Sequence, residues 1–325
     1  PDIFGAPLEK HVSRPEASCL QSVHPGRSAA PRRAHPMEVC TQVPATTSNF
    51  GPGFDCLGAA LRIYNRVTVS RQSGRHREPD PPHPMAGEAA AAFFAQPGVP
   101  KKRFPFTWKI SGDVPPSRGL GSSVTLRLGV LSGLNALSGS PLSPERLFGL
   151  CASLEGHPDN AAPAQFGGFT VAGGAPAASA VPFPVSPRLR FVLLIPDFEI
   201  RTDDARRLLP GQVSRTAAVA SSGRACRITA AFATRNYELL RGAFEDTAFH
   251  QPHRLPLIPV LPEVIAAGTS AGALGGFLSG SGSTIVCLTL QTPERVAAAM
   301  HEAMRSPLAR TIVTGVDNRG AKIIP

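Results

Sequence analysis

Nowhere in the 325 residues does a glycine precede a lysine and a hydroxyl residue, which excludes a Walker-type phosphate loop. One Gly-x-Ser-x-Gly occurs, Gly268-Thr269-Ser270-Ala271-Gly272, but it ends a helical stretch instead of joining a strand to a helix, so it is not the sharp turn that presents a nucleophilic serine in many hydrolases. No apolar run is long enough to span a membrane. The six cysteines, Cys19, Cys40, Cys56, Cys151, Cys226 and Cys287, are dispersed and form no CxxC pair. That pattern fits reduced thiols in a cytoplasmic protein better than a disulfide frame or a zinc site. Tyrosine and tryptophan are scarce, and the positive side chains, mostly arginines, are scattered. The net charge of +10 therefore implies attraction to anions without the footprint of a nucleic-acid-binding surface. An anionic nucleotide is a sufficient partner.

What is present is the composition of an ordinary globular chain, 42% hydrophobic and 17% charged, long enough for a full core and for two domains. Residues 1–36 differ, being rich in Pro, His, Arg and Ser. They are expected to be an extension, disordered or upstream of a natural start at Met37. Glu9 and Glu16 weigh against a transit peptide. Strand character is expected over 39–43, 62–70, 104–111, 166–172, 189–195, 274–279, 284–290 and 310–316. Helical spacing is expected over 87–95, from the Ser122 region to about Leu137, from Ser143, and over 159–165, 202–209, 215–233, 236–246, 262–269 and 293–304. Residues 71–86 read as loop. A Pro- and Ala-rich stretch ahead of 189 sets the expected domain boundary near 185. Strands interleaved with helices predict an α+β fold.

Four segments carry candidate chemistry. VPPSRGLGSSVTLRLGVLSGLN (114–135) joins a glycine loop to an apolar run at helical spacing. Glycines let the backbone bring successive N–H groups near an anion, and a new helix adds its unsatisfied amides and the positive end of its dipole. Ser122 and Ser123 stand where hydroxyls reach phosphate or Mg²⁺. The same residues would equally serve a glycine-rich turn before a core helix. In PATTSNFGPGFD (44–55), Asn49 and Asp55 flank a Gly-Pro-Gly turn, where they are either turn-capping residues or polar anchors for a ligand. EGHPDN (155–160) offers His157, Asp159 and Asn160, either as a local capping network or as metal ligands, although no further ligands stand at suitable spacing. LSGSG (278–282) is a second glycine turn.

In this order and at these separations, the four segments resemble those of homoserine kinases, within the GHMP small-molecule kinase superfamily, from about Met37 to the C-terminus. The resemblance implies two domains. Residues 37–185 would form an N-terminal domain like the second domain of ribosomal protein S5, carrying the ATP loop. Residues 186–325 would form a ferredoxin-like C-terminal domain. It also implies an ATP-dependent transfer of phosphate to the hydroxyl of L-homoserine for threonine synthesis, with Mg²⁺, in a cytoplasmic homodimer that needs no nucleic acid and no membrane. Pro116, Ser117, Arg118, Gly119, Leu120, Gly121, Ser122 and Ser123 are the expected ATP-binding residues, with Ser122 or Ser123 on Mg²⁺. Asn49, Asp55, His157, Asn160, Arg224 and Arg254 are expected at the amino acid: Asp55 on its ammonium, the two arginines on its carboxylate, and Asn160 near the reacting hydroxyl as the catalytic residue. A planar guanidinium suits that carboxylate because it donates two parallel hydrogen bonds.

Two departures qualify this. Val124 stands where a small residue is usual, and its stiff β-branched side chain would crowd the loop. The family's Mg²⁺-binding Glu falls eight residues before His157, at Gly149; Glu145, one turn earlier, is the expected substitute. If neither compensates, the alternatives are a weakened or inactive homologue that binds nucleotide or amino acid, or a kinase for another small alcohol.

Overall fold

The computed structural model describes residues 37–72, 83–101, 103–173 and 179–325, all within one compact unit that runs to Pro325. The expectations for 1–36 and for most of the 71–86 loop lie outside the described residues. In chain order the strands are β1 Glu38–Ser48, β2 Leu57–Arg71, β3 Phe106–Gly112, β4 Phe169–Gly173, β5 Ser179–Phe183, β6 Arg190–Ile195, β7 Gly275–Leu278, β8 Ile285–Thr289, β9 Arg310–Thr314 and β10 Lys322–Ile324. The helices are α1 Pro84–Phe94, α2 Ser122–Leu137, α3 Pro144–Glu155, α4 Ala161–Phe166, α5 Thr202–Arg207, α6 Arg215–Thr234, α7 Gln251–Arg254, α8 Leu261–Ser270 and α9 Pro293–Met304.

Two antiparallel sheets organise the chain. One has the order β10-β1-β2-β4-β5, with β3 also on β2; the other has the order β7-β8-β6-β9. Strands on either side of residue 185 thus fall in different sheets, except that β10 returns to pair with β1. The β1–β2 register shifts between Pro44 and Ala45, where proline contributes no ladder N–H. Beyond that shift β1 continues to Ser48, further than periodicity suggested, and carries Thr46, Thr47 and Ser48 into the buried interior.

Strand β6 shows why the arrangement is layered. Its residues alternate between two cores: Phe191, Leu193 and Ile195 join the core shared with the first sheet, while Val192 and Leu194 face the core under α8 and α9. Such a run, buried on both faces, reads as continuously apolar. A third core packs α1–α4 on the opposite face of the first sheet.

At the centre of the shared core is Phe50. Its ring lies 4.6 Å from Phe277, 5.2 Å from Phe169 and 5.7 Å from Phe232. Its φ of 47° is an uncommon backbone state for a bulky residue, held here by complete burial. One hydrophobic plug therefore anchors the whole turn that carries Asn49 and Asp55.

The expected helix over 236–246 is only a single 3₁₀ turn, Tyr237–Leu240. Gly242 takes a left-handed φ of 70°, and the Asp246 carboxylate accepts the backbone N–H groups of Ala248, Phe249, His250 and Gln251. A side chain that caps the following segment competes with continuation of a helix.

Candidate active site

The glycine loop is built by close approach. Gly119 and Gly121 have φ of 70° and 67°, and a Cβ on either would lie 2.1 Å from Ser279 O or Thr46 Oγ1 respectively. The helix α2 then starts with no side-chain cap and no acid in its first turn, which leaves its leading amides available to an anion. Pro116 and Ser117 are exposed, Leu120 is buried, and the Arg118 side chain turns away to Pro196 O, Asp197 O and Glu199. The cradle consists of backbone, with the hydroxyls of Ser122 and Ser123 at its edge. Val124 does not crowd it, because its side chain is buried in the core beneath α1–α4.

Hydrogen bonds lace the other segments to this loop. Thr46 N–H donates to Leu120 O (3.1 Å), and Ser279 Oγ donates to Gly119 O (2.6 Å). Thr46 Oγ1 donates to Asn160 Oδ1 (2.7 Å), and Asn160 Nδ2 donates to Ser48 Oγ (3.0 Å). Asn49 Nδ2 donates to Gly280 O (3.0 Å) while its Oδ1 accepts the Asp55 N–H (3.0 Å). Both asparagines are buried, and both tie chain segments together.

Beside this lattice stands a group of charges. Arg206, from the end of α5, holds both oxygens of Asp55, at 2.8 and 3.1 Å. His157 Nδ1 pairs with Asp159, and ligand atoms of Asp55, His157 and Asp159 lie within 4.8 Å of one another. Their negative charge is met by Arg206 and His157. Burial alone would pull the His157 pKa down, but the hydrogen bond to Asp159 and the charges of Asp159 and Asp55 raise it above its ordinary value. The buried Asp159 carboxyl is correspondingly lowered, burial being outweighed by His157 and by a bond from Ser48.

Arg254 is buried, with Nη1 donating to Gly280 O (2.8 Å) and His250 Nδ1 (3.1 Å). Burial first, then the charge of Arg206, lower its pKa to about 10, so it stays charged at neutral pH. His250 Nε2 reaches Gly51 O at 2.9 Å. A carbonyl only accepts and a guanidinium only donates, so these two contacts assign the neutral Nε2–H tautomer. Phe54 lies under both guanidinium groups, at 5.6 Å from Arg206 and 5.5 Å from Arg254.

Two expected placements differ in the structure. Arg224 lies on α6, paired with the exposed Glu245, and is not among the side chains gathered around Asp55; Arg206 is. The two arginines look alike in sequence, and only the turn of the chain after β6 brings Arg206 across. Glu145 is fully exposed at the start of α3, where the Ser143 hydroxyl lowers its pKa. Ten residues further on, about 15 Å along the same helix, Glu155 presents the carboxylate at the loop. Ser123 Oγ donates to Glu155 Oε2 at 2.8 Å. Counting back from His157 to Gly149 overlooked Glu155, which stands only two residues before that histidine.

The residues 85–168 match the model described as GHMP kinases N terminal domain, and 228–306 match GHMP kinases C terminal. A homoserine kinase of Moorella thermoacetica is 37% identical over 296 residues, covering 87% of this chain and 99% of that protein. The chain belongs to the homoserine kinase family. A relative of that name from Microchaete diplosiphon is also 37% identical, over 87% of this chain and 96% of its own length. Among solved structures, homoserine kinase from Cytophaga hutchinsonii superposes with a TM-score of 0.82 at 24% identity, covering 91% of this chain and all of that one. This likeness carries the fold: the α+β GHMP kinase architecture expected from the motifs is the one present. Among the described residues no helix is long and apolar enough to cross a membrane.

Proposed function

We propose that this GHMP kinase transfers the γ-phosphoryl group of ATP to the hydroxyl of L-homoserine, forming O-phospho-L-homoserine for threonine synthesis. The observation that carries the reading is the pairing of two adjacent sites, tied together by the hydrogen bonds of Thr46 and Asn160. A backbone cradle at an uncapped helix start stands beside a zwitterion-shaped charge group, with Asp55 opposite Arg206 and Arg254.

The triphosphate lies along Gly119–Ser123 and the first turn of α2, where amides and the helix dipole favour anions. The substrate carboxylate exchanges with Asp55 on the Arg206 fork and meets Arg254, and the released Asp55 pairs with the ammonium. His157, its Nδ1 paired with Asp159, is held in a fixed orientation beside the substrate. Asn49 and Asn160 keep the loops in register and line the pocket, Asn160 nearest the phosphate loop. Acceleration then rests on alignment and on neutralising charge, which suits phosphoryl transfer.

Ser123 and Glu155 present oxygen atoms only, a donor set that fits Mg²⁺, a metal that keeps several of its waters. When bound there with the nucleotide, Mg²⁺ would neutralise phosphate charge. Glu155 beside the loop and Val124 in the core both support an active enzyme over a weakened homologue. The test is MgATP-dependent release of ADP with and without L-homoserine. Turnover that does not require L-homoserine, or that another small alcohol supports equally well, would refute the assignment.

A further inference from the structure

Arg127 stands one helical turn after Ser123 on α2, so the two side chains share a face. Its Nη1 donates to Glu155 Oε1 at 2.6 Å, while Ser123 Oγ donates to Glu155 Oε2 at 2.8 Å. Both oxygens of that carboxylate are therefore occupied, one by a hydroxyl and one by a full positive charge. The second arm of the fork, Nη2, reaches Glu88 Oε2 on α1 at 2.8 Å. One guanidinium thus bridges three helices. Glu155 is only 8% exposed and Arg127 only 13%, so water screens this contact poorly. Glu88 is 52% exposed and makes the outer, solvated end of the bridge.

A cation that binds between Ser123 and Glu155 must share Oε2 while Arg127 remains on Oε1. Two positive charges would then crowd one carboxylate in a half-dry site. Negative phosphates arriving in the adjacent cradle would offset that repulsion; a bare metal ion brings no such compensation.

We propose that Arg127 is a positioning residue that acts as the resident counter-cation of Glu155, holding the carboxylate aligned on Ser123 and making divalent metal binding depend on the nucleotide. This rests on the assignment of Ser123 and Glu155 to Mg²⁺. Removing the guanidinium leaves Glu155 buried without its charge partner, a situation that a divalent cation relieves. Arg127→Met should consequently gain a metal site that the unaltered chain lacks when nucleotide is absent.

Mn²⁺ is the probe, titrated without nucleotide into the full chain and followed by the loss of the free-ion electron paramagnetic resonance signal. The expected result is binding at least about tenfold tighter in Arg127→Met than in the unaltered chain. Arg127→Lys should stay near the unaltered value because it keeps the charge, and Arg127→Met/Glu155→Gln should lose the gain. A melting temperature raised by Mg²⁺ in Arg127→Met alone is a second readout, which a merely structural role would not produce. Arg127→Gln, which keeps a donor to the carboxylate, serves should the methionine variant fail to fold. Folded Met or Gln variants that bind Mn²⁺ no tighter would overturn the proposal, as would a gain that survives Glu155→Gln. The underlying metal assignment fails separately: Glu155→Gln alone would then leave the Mg²⁺ dependence of ADP release unchanged.

Discussion

Arg206→Met is the substitution that best separates the structural site from its sequence-based version. Arg206 donates two hydrogen bonds to Asp55, and both side chains are about one-third exposed, at 36% and 31%. A pair so open to water contributes little to folding, at most about 1 kcal/mol. Its value lies in binding. With substrate present, the same fork would grip the homoserine carboxylate, and hydrogen bonds to charged groups are worth about 1.5–3 kcal/mol each. The free site already engages Arg206 through Asp55, so the exchange returns only part of that gross energy, about 2–3 kcal/mol. Losing it corresponds to a fall of roughly 30–150-fold in kcat/KM for L-homoserine. The KM for ATP should move by no more than about twofold, because the cradle is backbone on another segment. Arg224→Met should leave both parameters close to their original values, since Arg224 meets the exposed Glu245 instead. Steady-state ADP release over a grid of both substrates measures all of this. The argument is refuted if Arg224→Met loses as much as Arg206→Met, or if Arg206→Met keeps its homoserine KM.

Glu155→Gln should lower kcat by about 100-fold and raise the Mg²⁺ concentration needed for half-maximal rate, whereas Glu145→Ala should change neither; equal loss in both would restore the earlier position as the metal ligand. Phe50→Ala removes the ring at the centre of the shared core and should cost about 3–5 kcal/mol in urea unfolding, and a loss under 1 kcal/mol would mean that the turn is held by its hydrogen bonds alone. Stability should peak near pH 6.5. Burial first, then the Arg254 charge, lower the His250 pKa to about 4, so its contribution is complete above the unfolded value near 6.5 and is lost as pH falls towards 4. The raised pKa of His157 has the opposite consequence: its contribution is complete below 6.5 and is lost as pH rises through the folded value. Urea midpoints at pH 5, 6.5 and 8 test this, and a monotonic rise across the three would refute it.

Local chemistry made much of the chain legible. Glycine spacing marked the loop before α2, the unbroken apolar run marked β6, and Ser-Pro-Glu marked the start of α3, where Ser143 does accept the Arg146 N–H. Each signal depends on residues that are neighbours in sequence, and the four motifs together carried the family. The expected helix over 236–246 failed because its competitor, the Asp246 carboxylate, acts on amides that follow it. Strands β5 and β10 were not anticipated, since short exposed edge strands carry no buried period to read.

The site divides along the same line. Backbone conformation at Gly119 and Gly121 is a local property, and the sequence alone located the glycine turn and the helix start that follows it. Which carboxylate meets Ser123 and which arginine meets Asp55 is not local. Glu145 and Glu155 belong to one helix, and only the packing of α3 against α2 decides that its last residue, not its first turn, meets Ser123. Arg206 and Arg224 are both arginines of the second half of the chain, and only the placement of α5 across the Gly-Pro-Gly turn selects Arg206 for Asp55. Charge and hydrogen bonding act over a few ångströms between segments 32 and 151 residues apart in these two pairs, so the residue types were determined by the sequence and their partners by the tertiary structure.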